Sequence, residues 1–197
     1  DRDSALADDR AYTLNHENDP LGDGTGMPLV RALLELNQHQ KPGDPPLVEV
    51  VVMSRNSPET GIRVFNSIRS RGLTISRHAF TGGESVVPYL DAYDVDLFLT
   101  TNIKDAQKVI DGGNCAAAIV KAPPGDLAEI PAGQVRIAFD GDAVLFDESS
   151  EIVYKAEGLA GFQANEDLNR DLPMPQGPYA TFLEKLSRLQ HRLPFRV

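Results

Sequence analysis

A chain of 197 residues with 41% hydrophobic side chains suits one domain with a sizeable core, or one domain plus part of another. Its formal charge of −10, from 29 acidic and 19 basic residues, argues against a nucleic acid polymer or an anionic membrane surface as partner, because both select a basic face. The single Cys115 leaves no internal disulfide, no apolar run approaches the ~20 residues of a membrane span, and no charged-then-apolar leader pattern is visible.

Residues 4–18 are polar and helix-compatible, and Asn18 to Gly26 is a loop by its Gly, Pro and Asp content. The stretch from Pro28 to Gln38 carries Leu29, Val30, Leu33, Leu34 and Leu36 at helical spacing. After the breaker segment Lys41 to Pro46, the run Leu47 to Met53 is β-branched and nearly continuous in apolar character, the pattern of a strand buried on both faces. It ends at Ser54-Arg55-Asn56. Pro58 then opens a helix holding Ile62, Val64, Phe65 and Ile68, closed by Arg71-Gly72. A short strand is expected between Leu73 and Phe80, then a turn at Thr81-Gly82-Gly83 and a helix toward Tyr93. Val95 to Leu99 is the next strand, Asp105 to Gly112 a helix, and Ala116 to Val120 a strand with Cys115 packed in the core beside it. A Pro/Gly-rich connection from Ala122 to Gly133 leads to a strand at Val135 to Asp140. Helices are expected near Ser150 to Glu166 and at Tyr179 to Gln190, on either side of the loop Pro173 to Pro178.

Buried strands alternating with helices predict an α/β fold: a three-layer, Rossmann-like, mostly parallel sheet with helices on both faces. Residues 1–134 read as one such unit. Residues 135–197 read as a strand plus a helical segment that either completes the same sheet or opens a second unit. An internal echo accompanies this. Pro20 to Gly24 followed by Leu29, Val30, Leu33 and Leu36 is matched by Pro173 to Gly177 followed by Phe182, Leu183, Leu186 and Leu189, at a constant spacing of 153 residues. The order of loop and amphipathic helix is kept, which reads as a duplicated unit.

In parallel sheets a ligand crevice lies outside the carboxyl ends of the strands. Three expected strands end in polar groups: Ser54-Arg55-Asn56, Thr100-Thr101-Asn102 and Asp140-Gly141-Asp142. The last is the most informative. Where a strand turns at a glycine, carboxylates at i and i+2 can point at one ligand, hold Mg²⁺, and attack phosphorus. An Asp-Gly turn closing a hairpin accounts for the same residues without chemistry. Ser54 reads both as a phosphate donor and as a cap for the Pro-led helix, and Asn102 and Asp105 stand where a helix begins and would cap it. Thr81-Gly82-Gly83 could wrap an anion with backbone amides, or be a plain Gly-Gly turn. Lys104 and Lys155 read as solvated surface groups, and His16, His39, His78 and His191 lack metal-ligand spacing.

With Phe139-Asp140-Gly141-Asp142-Ala143-Val144-Leu145-Phe146 followed by Asp147-Glu148-Ser149-Ser150-Glu151, the sequence resembles the type I cytosolic 5′-nucleotidases, relatives of the haloacid-dehalogenase-like phosphatases. Val51-Val52-Met53-Ser54-Arg55-Asn56, Phe80-Thr81-Gly82-Gly83, Leu97-Phe98-Leu99-Thr100, Ala116-Ala117-Ala118, Gln176-Gly177-Pro178 and Leu186-Ser187-Arg188-Leu189-Gln190 occur in that family's order. The resemblance implies a cytoplasmic, Mg²⁺-dependent hydrolase of nucleoside 5′-monophosphates on a haloacid-dehalogenase-like fold. A homo-oligomer is compatible with it. Asp140 would match the nucleophile and Asp142 the general acid. Mg²⁺ would be held by the Asp140 carboxylate and the Asp142 backbone carbonyl, and, were the domain circularly permuted, Asn102 or Asp105 would complete its shell. Phosphate or substrate would meet Ser54, Asn56, Thr81, Gly82 and Gly83. The superfamily also uses a phosphate-binding lysine and a further acidic group, here expected beyond Val197. The chain therefore reads as a fragment, in which a non-catalytic nucleotide-binding or interaction module is the alternative role. A circularly permuted domain with Val135 to Asp140 as its central strand is the other reading.

Overall fold

The computed structural model describes residues 11–12, 15–122 and 134–194. These form two compact units, Asp1–Asp94 with Val120–Val135, and Val95–Ile119 with Arg136–Val197. Each is built around one parallel strand pair.

In the first unit, helix α1 (Met27–Glu35) starts with proline in its first turn and passes into a tighter helical turn, Leu36–His39. Proline is tolerated there because its missing N–H would lack an intrahelical partner anyway. Strand β1 (Val51–Ser54) pairs in parallel with β2 (Arg77–Phe80), Val51 opposite Arg77 and Ser54 opposite Phe80. Helix α2 (Gly61–Ser70) connects them. A Cβ on Gly61 would lie 2.9 Å from the Phe80 ring, so glycine lets the helix start close against the strand. Phe65 packs edge-on against His78 and Phe80, with ring centroids 4.3 and 5.4 Å apart. Ala32, Leu36, Val86 and Leu90 are buried. The Leu21–Asp23 loop is tied down by Arg71, whose guanidinium meets the Asp23 carboxylate at 2.8 Å and also donates to the Leu21 carbonyl. Hydrogen bonding from Arg71, with help from Arg31, holds the Asp23 carboxyl below its ordinary pKa.

The second unit repeats the strand–helix–strand plan. Strand β3 (Leu97–Thr100) pairs in parallel with β4 (Ala116–Ile119) across helix α3 (Ile103–Gly112). Phe98, Ala106, Val109, Ala116 and Ala117 form its core. Gly113 ends α3 in the left-handed region, the usual glycine stop. Helix α4 (Ser149–Asn169) is interrupted at Gly158, at φ 70° and ψ −168°, a conformation essentially reserved for glycine. The chain folds back there. Ser150 donates to Glu166 at 2.7 Å, and the Tyr154 and Phe162 rings meet at 6.2 Å. In one straight helix those pairs would stand roughly 24 and 12 Å apart along the axis. Helix α5 (Ala180–Arg192) completes the unit, tied to β3's approach by an ion pair from Lys185 to Asp96.

Several expectations change. The described residues hold two separate two-stranded parallel pairs instead of one larger sheet. Among the described residues the run 134–140 pairs with no strand, so Asp140 does not end a sheet strand. Within it the Phe139 ring sits 6.3 Å from Tyr179 and 6.1 Å from Phe182. The helix expected before Tyr93 is two short tight turns, Val87–Tyr89 and Asp91–Tyr93, closed by Asp94 at φ 51°. The single helix expected near Ser150 to Glu166 is a helical hairpin. Strand β1 begins four residues later than expected, at Val51, and is half-buried rather than covered on both faces. Cys115 stands just before β4 and is half-buried. Most of the polar stretch 4–18 and the connection after Ala122 lie outside the described residues.

The 153-residue echo has a structural counterpart. Met27–His39 and Ala180–Arg192 are helical over ranges that differ by that offset. The entering bonds match too: Met27 N–H to the Gly24 carbonyl and Val30 N–H to Gly26, against Ala180 to Gly177 and Leu183 to Tyr179. Among the described residues no helix is long and apolar enough to cross a membrane.

Candidate functional site

The expected site residues lie on two turns and one helix start. The first turn belongs to the first unit. Parallel pairing puts the carboxyl ends of β1 and β2 side by side, so Ser54 and Thr81 leave the pair together. The Thr81 N–H donates to the Ser54 carbonyl at 3.0 Å, Gly82 to Asn56 at 3.0 Å, and Gly83 to Arg55 at 2.6 Å. Consecutive amides can fold back in this way because Gly82 and Gly83 sit at φ 62° and 104°. Ser54, Asn56, Thr81, Gly82 and Gly83 are thus gathered into one clasp. Its amides at 81–83 are engaged by carbonyls of 54–56. Ser54 Oγ accepts from the Asn56 N–H at 3.2 Å, and the Thr81 hydroxyl donates to the Glu84 carbonyl at 2.6 Å.

The second turn and the helix start belong to the second unit. Asp140 Oδ1 accepts from the Gly141 N–H at 2.8 Å, which orients the carboxylate. The chain then passes through Asp142 at φ −76°, ψ 136° and Ala143 at φ 56°, ψ 13°, and closes when the Phe146 N–H donates to the Gly141 carbonyl at 3.0 Å. Ala143 is one of two described non-glycine residues with positive φ, a local strain placed directly after Asp142. Both aspartates are exposed.

A second loop grips this turn. The Asp147 N–H donates to the Pro175 carbonyl at 3.1 Å, Gly177 to Leu145 at 2.8 Å, and Tyr179 to Val144 at 3.0 Å, with Phe146 and Gln176 forming an antiparallel bridge. A Cβ on Gly177 would fall inside contact distance of the carbonyl oxygens of Phe146 and Val144. Tyr179 reaches further: its hydroxyl donates to the Ala117 carbonyl of β4, and burial pushes that hydroxyl's pKa above its ordinary value.

Asn102 caps α3, its side-chain oxygen accepting from the N–H groups of Lys104 and Asp105 at 3.0 and 3.2 Å. Asp105 is buried in the first turn of that helix, where its charge suits the positive end of the dipole. Among the described residues no three His, Cys, Asp or Glu side chains gather to hold a metal ion, so Asp105 does not join Asp140 and Asp142 in such a group. The donors that the second turn does offer are hard oxygens. Mg²⁺ is commonly held by one or two carboxylates while keeping several waters, and the exposed turn fits that chemistry. Gly177, Tyr179 and Ala143 are the residues that sequence reasoning did not single out as site-forming. A glycine between glutamine and proline, at the offset of the echo, was the one signal pointing to the first.

A family model described as 5′-nucleotidase matches residues 2–196. Human "Cytosolic 5′-nucleotidase 1B" is 36% identical over 184 residues, covering 92% of this chain. The chain spans 30% of that relative's length. No solved structure matches. With a family match over almost its whole length, the chain belongs to the 5′-nucleotidase family.

Proposed function

We propose that this chain carries the phosphate-handling turn of a cytoplasmic enzyme that removes phosphate from nucleoside 5′-monophosphates. The observation that carries this reading is the exposed Asp140-Gly141-Asp142 turn, oriented by the Gly141 amide and gripped by a second loop, in a chain of the 5′-nucleotidase family. Asp140 is the nucleophile. Its carboxylate oxygen attacks phosphorus, the bond to the ribose 5′-oxygen breaks, and an aspartyl-phosphate forms. Asp142 donates the proton that the leaving oxygen needs, and then takes one from the water that hydrolyses the aspartyl-phosphate. The Asp140 carboxylate and Asp142 backbone carbonyl would hold Mg²⁺, which neutralises phosphate charge when bound. The Ser54 and Thr81 hydroxyls and the Asn56 side chain are proposed phosphate or substrate contacts, with Gly82 and Gly83 shaping the clasp that presents them. The proposed fold class is haloacid-dehalogenase-like.

Phosphate release from AMP, with and without Mg²⁺, tests the reading on the full-length protein. Release that depends on Mg²⁺ and disappears in Asp140→Asn is the expected result. Release that Asp140→Asn leaves untouched rules it out. A second reading, nucleotide binding without turnover, is favoured by the lack of a three-carboxylate metal group among the described residues. Calorimetric titration with AMP, showing binding in the absence of any phosphate release, would select it.

A further inference from the structure

We infer that Gly177 is a positioning residue for the Asp140-Gly141-Asp142 turn, and that Tyr179 anchors the same loop to the strand pair beneath it. This inference rests on the reading of Asp140 as nucleophile. Asp140 does not end a hydrogen-bonded strand, so no sheet fixes its backbone. The turn's geometry comes from elsewhere, and the only loop hydrogen-bonded across residues 144–147 among the described residues is Pro175 to Tyr179.

The mechanical path is short. Gly177 sits against the carbonyl oxygens of Val144 and Phe146, and its N–H donates to Leu145 between them. Phe146 in turn donates to the Gly141 carbonyl, and Gly141 separates the two aspartates while its own N–H orients Asp140. A methyl group on Gly177 has no flexible side chain to push aside. The atoms it meets are backbone, so segment 144–146 must retreat, and the bond to Gly141 carries the displacement to both carboxylates. The glycine at the matching place in the echo, Gly24, has no atom within 4 Å of an added Cβ. Close seating therefore belongs to this copy of the loop and is not a general demand of the loop–helix motif.

Tyr179 holds the other end. Its N–H grips Val144, its ring packs on Phe139 immediately before Asp140, and its hydroxyl is fastened to Ala117. One residue thus links the run entering the turn, the body of the turn and strand β4. Positioning of this kind acts on the transition state more than on ground-state binding. A displacement near 1 Å can lower turnover about 10²-fold.

The test uses Gly177→Ala and Tyr179→Phe in the full-length protein, with phosphate release from AMP in the presence of Mg²⁺. Gly177→Ala is expected to lower kcat about 10²-fold with KM within about threefold of wild type. Tyr179→Phe keeps the ring and removes one hydrogen bond, and is expected to lower kcat about tenfold at unchanged KM. Circular dichroism and thermal unfolding establish that each variant is folded. Should Gly177→Ala fail to fold, Tyr179→Phe carries the test alone. Wild-type kcat in the folded variants overturns the inference, as does a loss that falls on KM instead. Asp140→Asn, run alongside, separates the two claims: undiminished release there removes the nucleophile reading, whatever the loop variants do.

Discussion

The turn after β1 and the turn at Asp140 are each gripped by a second loop through three backbone hydrogen bonds, and each gripping loop contains glycine. The glycines serve different needs. Gly82 and Gly83 have open space around an added Cβ, but positive φ values of 62° and 104°. They are there for their backbone conformation. Gly177 has no positive φ, but its neighbours leave no room for a Cβ. It is there for its size. The first clasp continues a parallel strand pair that would fix the ends of 54 and 80 without it. The second grips a segment that pairs with no strand, so the clasp itself sets the geometry of the turn.

If the two clasps differ in this way, substitutions should separate them. Asp140→Asn is the largest expected effect, a fall in phosphate release of roughly a thousandfold or more, as for removal of a nucleophile. A comparable fall from Ser54→Ala in the same assay would break the comparison by giving both turns equal weight. Gly177→Ala comes next, near 10²-fold on kcat. Gly83→Ala should act on stability instead, by about 1–3 kcal/mol, because alanine at φ 104° is strained although nothing touches it. Chemical denaturation measures that, and an unchanged midpoint would show that the Gly-Gly turn has relaxed. Ala143→Gly is the smallest effect. It relieves left-handed strain at φ 56° and should stabilise by up to about 1 kcal/mol, less the added freedom of glycine when unfolded.

The two turns also differ in how legible they were. The pattern of β-branched residues before Ser54, and Gly82-Gly83 after Phe80, are local signals, and both elements form close to where periodicity put them. Asp140-Gly141-Asp142 was equally visible, and its family resemblance holds across the chain. Its support was not legible. Val135 to Asp140 has the composition of a strand, but composition does not say which backbone it pairs with, and here Phe139 packing replaces a ladder. Gly177 reads as one loop glycine among several, because its need for space arises from carbonyls about 30 residues earlier. Gly158 was visible as a glycine inside a helical pattern. Its role as a fold-back point emerges only from pairs that meet on either side of it, Ser150 with Glu166 and Tyr154 with Phe162. Asn102 was read correctly as a residue at a helix start, and the cap it forms is the bland half of that reading.

The hydroxyl of Tyr179 meets a carbonyl 62 residues away, and Lys185 meets Asp96 across 89, whereas the Ser150–Glu166 bond closes over 16. Loop closure becomes more costly by about 0.6 kcal/mol for each doubling of length, so these contacts should not form together. The helical hairpin is expected to protect its amides early in refolding, and the Asp147, Gly177 and Tyr179 amides, which donate across the clasp, to be protected last. Pulse-labelling hydrogen exchange reads that order directly, and early protection at Asp147, Gly177 and Tyr179 would reverse it. A chain emerging from synthesis would therefore present its aspartates long before it holds them in place. The turn would take its geometry late, when a tyrosine reaches back to a strand made much earlier.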